Sequence, residues 1–152
     1  MSQSINLVKY EAANDGKLYE TKTDLIETAF VTSSLLEELK GQFSLTEKNI
    51  FEALGSEDHY SIDCFNDSDV EAAIRKLEDI FLSILKSEGK NLCDERGGTA
   101  SENLPSKLSA HISSQDIGDS ISRFRTLTNL IHVFKLKHNQ FRTDNSVVLK
   151  VG

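Results

Sequence analysis

The chain contains no tryptophan, one proline and only two cysteines in 152 residues. Each scarcity removes options. With Pro105 the sole proline, little interrupts a helix, because proline lacks the backbone donor and its ring clashes inside a helix. Cys64 and Cys93 stand apart with no C-x-x-C spacing, so they read as two free, buried thiols rather than a disulfide or a dithiol motif. Apolar runs are only a few residues long, too short to span a bilayer. The opening stretch MSQSINLVKYEAANDG has no basic start followed by an apolar core, which argues against a secretory signal and for a cytoplasmic location. Aromatics make up 7% of the residues and fall mostly on apolar stripes, which argues against a stacking platform for bases.

What is present is an ordinary globular composition, 38% hydrophobic and 27% charged, at a length that predicts a single domain over residues 1–152. Such a chain buries roughly 70% of its unfolded surface and needs no metal or disulfide staple. The net charge of −7 is unevenly spread: residues 1–89 hold 18 acids against 8 bases, and residues 90–152 hold 6 acids against 9 bases. The overall acidity opposes broad nucleic-acid binding, which requires many phosphate-neutralising cations.

Along the chain, Ile5–Tyr10 and Lys17–Lys22 read as strands of a hairpin turned at Asp15-Gly16. Asp24 and Glu27 have the spacing of a helix start, followed by a stripe of Leu25, Ile26, Ala29, Phe30, Leu35, Leu36 and Leu39 that ends at Gly41. Ser44 and Glu47 form a second capping box before Ile50, Phe51 and Leu54, closed by Gly55. Residues 56–69 read as a polar loop or a short strand within one. The clearest helix runs from Asp69 to Ser87, with Glu71 and Arg75 as an i,i+4 pair and Gly89 as its cap. A polar loop over 89–105 follows, then a short helix near Lys107–Ile112 and a long one over Gln115–Asn139. Ser146–Val151 reads as a last strand able to join the hairpin. The expected fold is therefore α+β and mostly helical: four to five helices packed with a small antiparallel sheet made of the N-terminal hairpin and the C-terminal strand, with an all-α bundle as the alternative.

Two features carry candidate chemistry. Arg125 and His132 lie seven residues apart on the last helix, which returns them to nearly one side about 10 Å apart along the axis. A histidine there can move protons near neutral pH, and an arginine can clamp a phosphate. The pair is expected on one flank of a core stripe formed by Ile117, Ile121, Phe124, Leu127, Ile131 and Phe134; two polar residues on a helix rim are the plainer reading. The Arg-x6-His spacing on a late helix resembles the catalytic signature of HEPN-superfamily ribonucleases. That resemblance covers eight residues and implies a small helical, usually dimeric protein. It also implies metal-independent RNA cleavage, with Arg125 on phosphate and His132 in proton transfer. Thr126 departs from it, because a polar Asn, Asp or His commonly follows the arginine.

The second feature is the acidic surface, with Glu37, Glu38, Glu57, Asp58, Asp67 and Asp69 as its clustered members. Complementary charge speeds association and selects partners. Asp58, His59, Asp63 and Cys64 sit close in sequence but lack zinc-ligand spacing, and NDSDVE lacks the glycine and distal glutamate of a calcium loop. No cofactor or metal is expected. The function expected is a small acidic protein-binding domain, in its most specific form an inhibitor, immunity protein or antitoxin that neutralises a basic protein. RNA enters only with the ribonuclease alternative, and a homodimer is open under either reading.

Overall fold

The computed structural model describes residues 3–97 and 114–152. In chain order the elements are β1 (Gln3–Ala12), β2 (Leu18–Val31), α1 (Ser33–Gln42), β3 (Leu45–Phe51), β4 (His59–Phe65), a 3-10 turn (Asp67–Asp69), α2 (Val70–Gly97), α3 (Ser114–Gln140) and β5 (Val147–Val151). The five strands close into a barrel in the order β1-β2-β3-β4-β5. All neighbours are antiparallel except β2 and β3, which run parallel with α1 as their crossover. The expectation of a mostly helical molecule with four to five helices is overturned, as is the all-α bundle: the barrel dominates, and three α-helices accompany it among the described residues.

The hairpin of β1 and β2 turns where expected. Gly16 takes a positive φ of 77°, a conformation that costs a residue without a side chain little. The Asp15 carboxylate accepts the Lys17 N–H at 3.0 Å and the Tyr19 hydroxyl at 2.6 Å, which holds the turn and keeps the Asp15 carboxyl below its usual range. The helix expected from Asp24 is instead the continuation of β2. Its register against β1 shifts twice: Ile26 is a bulged residue, and a wider irregularity lies between Tyr19 and Asp24. Each inserted residue breaks strict alternation, and the remaining apolar spacing imitates a helical stripe. The true helix begins after Thr32, whose hydroxyl accepts the Leu35 N–H at 3.4 Å. The helix expected after Ser44 is β3, and the loop expected at residues 56–69 contains β4. Gly55, read as a helix end, turns the chain between these strands at φ 81°.

Residues paired in register share a face, and this sorts the interior. Val8, Tyr10, Leu18, Ile50, Tyr60, Ile62, Cys64 and Val148 come from all five strands and converge as one cluster, the filling of the barrel. Ile5, Leu7, Ala29, Val31, Phe65, Val147 and Leu149 lie on the opposite face. There they meet Leu36 and Leu39 of α1, Leu77 of α2, and Leu130 and Phe134 of α3. Burial pushes the Cys64 thiol up to about 11, and with neighbouring Tyr60 it raises the Tyr10 hydroxyl above the ordinary phenol range.

Helix α2 runs past the expected stop at Gly89 to Gly97. A glycine costs a helix about 1 kcal/mol, and the flanking Glu88, Lys90 and Leu92 are good helix formers. The polar loop expected at 89–105 is thus helical in its first part; its remainder, and the short helix near Lys107–Ile112, lie outside the described residues. Glu71 and Arg75 form their i,i+4 pair at 2.6 Å. Lys137 on α3 is 1% exposed and anchors the helix to both flanking segments. Its ammonium donates to the carbonyls of Phe141 (2.9 Å) and Asp144 (3.0 Å) and pairs with Asp67 at 3.2 Å.

Candidate functional site

The register explains why β2 runs on past the point where β3 closes the barrel. Asn6 pairs with Lys150, Lys150 with Cys64, and Cys64 with Thr46, while Glu11 pairs with Tyr19 and Tyr19 with Phe51. Circling the barrel once therefore returns to β1 displaced by about ten residues, a large stagger for five strands. Its consequence is local. β3 touches β2 only at Leu18 and Tyr19 and then turns away, so from Glu20 to Val31 no second strand among the described residues pairs with β2. Residues Glu20 to Leu25 are all exposed.

On this free edge the side chains divide by face. Asp24 and Glu27 pair with Lys9 and Leu7 and lie on the helix side. Leu25, Thr28 and Phe30 pair with Val8, Asn6 and Ser4 and lie on the other. The bulge at Ile26 is what places Asp24 and Glu27 on one side at a spacing of three. Leu25 is 59% and Phe30 66% exposed, the two largest apolar exposures of the strand. The Thr28 hydroxyl donates to the Asn6 side-chain Oδ1 at 2.9 Å, and Asn6 Nδ2 donates to the Ser4 hydroxyl at 3.1 Å, so a polar ladder separates the two. Neither Asp24 nor Glu27 makes an ion pair among the described residues.

The acids singled out in the sequence are distributed differently. Glu37 and Glu38 lie on α1, the first 3.9 Å from Lys40 and the second 3.1 Å from Lys76. Asp67 neutralises the buried Lys137, and half-buried Asp69 ends the 3-10 turn. Glu57 and Asp58 precede β4 whereas Asp67 and Asp69 follow it, so these two pairs stand about 20 Å apart along the strand. The structure does not bring the six together. Within β3 and β4, Glu47 and Asp63 oppose each other directly.

Arg125 and His132 are both exposed on α3. The buried side of that helix is formed by Leu127, Leu130, Val133, Phe134 and Lys137, and the pair faces away from it rather than flanking it. Ile121, expected in the core, is 52% exposed beside them. The helical architecture implied by the ribonuclease resemblance is replaced by the barrel. A cavity of about 470 Å³ does open between α1, α2 and α3, but it takes Arg123 rather than Arg125. Leu35, Ile80, Ile84 and Leu127 form its apolar lining, and Glu38 lies at its rim. Arg123 is paired with Glu88 at 3.6 Å. Among the described residues no three His, Cys, Asp or Glu side chains converge as a metal site, and His59 instead places its ring against Phe51. No helix among them is long and apolar enough to cross a membrane.

Sequence reasoning missed the β2 edge because an unpaired edge is a property of topology, not of local pattern. The β-branched Thr21, Thr23, Thr28 and Val31 were the available signal for a strand. No family model, curated protein or solved structure matches the chain.

Proposed function

We propose that the protein is a protein-binding domain that docks a basic partner, in its most specific form an inhibitor of immunity or antitoxin type. The observation that carries this reading is the free edge of β2. Two large apolar side chains stand exposed there beside two carboxylates without an ion-pair partner among the described residues. Exposed apolar groups on one face of the edge supply affinity, and the carboxylates on the other supply partner choice and encounter rate. The chain's net charge of −7 adds long-range attraction for a cationic protein.

The test is a pull-down from source-cell lysate with the wild type and the double variant Asp24→Lys/Glu27→Lys, each at low salt and at about 1 M, where the screening length shrinks to about 3 Å. The expected result is one basic protein, held by the wild type at low salt, released at high salt and not held by the variant. Capture indifferent to both salt and charge reversal overturns the reading.

A further inference from the structure

On the protein-binding reading just given, we propose that the partner contributes an extended segment of alternating basic and apolar residues, and that this segment adds to β2 as an extra strand. The edge supplies the backbone half of such a contact. β2 is paired with β1 from Asp24 to Val31, and its other side lies in line with the position β3 vacates at Phe51. A strand edge with no partner presents a row of N–H and C=O groups that an incoming chain can satisfy.

The side chains supply the selection. An added strand places successive residues on opposite faces, and residues in register share a face. On one face it would meet Asp24 and Glu27, and on the other Leu25 and Phe30. A segment with lysine or arginine opposite Asp24 and Glu27 and apolar residues between fits both at once, while Ala29 and Val31, farther along the acidic face, are buried and add no charge. The same charges decide against a second copy of this chain as the occupant. Antiparallel pairing of two copies in the register that sets Asp24 opposite Glu27 would bring their carboxylates together, and opposed like charges destabilise strand pairs. The stretch from Asp24 to Val31 that pairs with β1 sets the length at eight residues, across the bulge at Ile26.

The probe is a synthetic octapeptide of alternating lysine and valine, compared with the same peptide N-methylated at alternate residues and with an alternating glutamate–valine peptide. Binding is read by fluorescence anisotropy, and the site by amide hydrogen exchange of Glu27 to Val31. The expected result is binding of the lysine peptide with slowed exchange at those amides. N-methylation should weaken binding at least tenfold, and the glutamate peptide should not bind. Equal binding of the N-methylated peptide overturns strand addition while leaving the acidic docking surface intact. Failure of the lysine peptide, with the lysate partner still captured by the wild type, also overturns strand addition alone. Sedimentation of the protein as a dimer that dissociates on Glu27→Lys assigns the edge to a second copy and overturns it as well.

Discussion

Replacing Lys137 with methionine removes a charge from one of the most enclosed positions in the molecule while keeping the volume of its apolar stem. The ammonium has three partners, the carbonyls of Phe141 and Asp144 and the Asp67 carboxylate. Breaking a buried ion pair by deleting one member costs about 3–5 kcal/mol. The Asp67 side chain is 36% exposed and can recover water, which places the cost at the lower end, about 3 kcal/mol. For a chain of this size each kcal/mol lowers the melting temperature by about 2–4 °C, so the expected drop is roughly 6–12 °C. Urea unfolding followed by far-ultraviolet circular dichroism measures the change directly, provided the dependence on urea keeps the same slope. Asp67→Asn tests the pair from the other side. It leaves both carbonyls their donor but takes the counter-charge from the buried ammonium, so it should cost a similar amount, about 3 kcal/mol. A Lys137→Met protein within 1 kcal/mol of the wild type would refute the reasoning, because the junction between α3 and β5 would then hold without its cation.

Further predictions concern the core and the titrating groups. Phe134→Ala empties the site where this ring meets Phe65 edge-on at 5.2 Å and should cost about 3–5 kcal/mol in the same urea assay. In a Cys93→Ser background, Cys64 should resist a thiol reagent at pH 8. With its thiol at about 11, only about a thousandth is thiolate, and burial blocks access to the rest; labelling should appear on unfolding. The Ser146 hydroxyl, at 2.5 Å, with the Ser146 N–H, holds the Asp144 carboxyl below its usual range. A depressed carboxyl stabilises the fold above its unfolded value and loses that contribution as pH falls through the folded one. Ser146→Ala should therefore raise the Asp144 titration seen by NMR and move the onset of acid unfolding to higher pH.

What could be read from the sequence, and what could not, follows from whether local pattern and burial agree. The hairpin was legible because Asp15-Gly16 is a turn signal flanked by alternating residues. Helices α2 and α3 were legible because each buries one stripe. β2 and β3 were misread because neither buries a regular face. Bulges interrupt β2, and β3 presents Thr46 and Lys48 on the same face as Ile50, so alternation of apolar residues is lost. Leu25 and Phe30 then look like helix-core residues although they are exposed, and their exposure is the candidate site itself. Lys137 could have been noticed: it occupies a stripe position after Leu130 and Phe134, where a cation stands only if something satisfies it.

The pairing of β1 with β5 joins Ile5 to Val151, and the whole helical hairpin is inserted between β4 and the strand that closes the barrel beside it. This sets a schedule for synthesis. On a ribosome adding about 5–20 residues per second, β1 waits on the order of ten seconds before β5 exists. During that interval β1 has β2 on one side and nothing on the other, so the nascent chain carries a second unpaired edge that the finished protein does not. Closure then requires the ends of a very long loop to meet, which makes it a slow step and a late one. The molecule is most prone to wrong pairing while still being made, and whatever occupies the edge of β1 in those seconds competes with its own last strand.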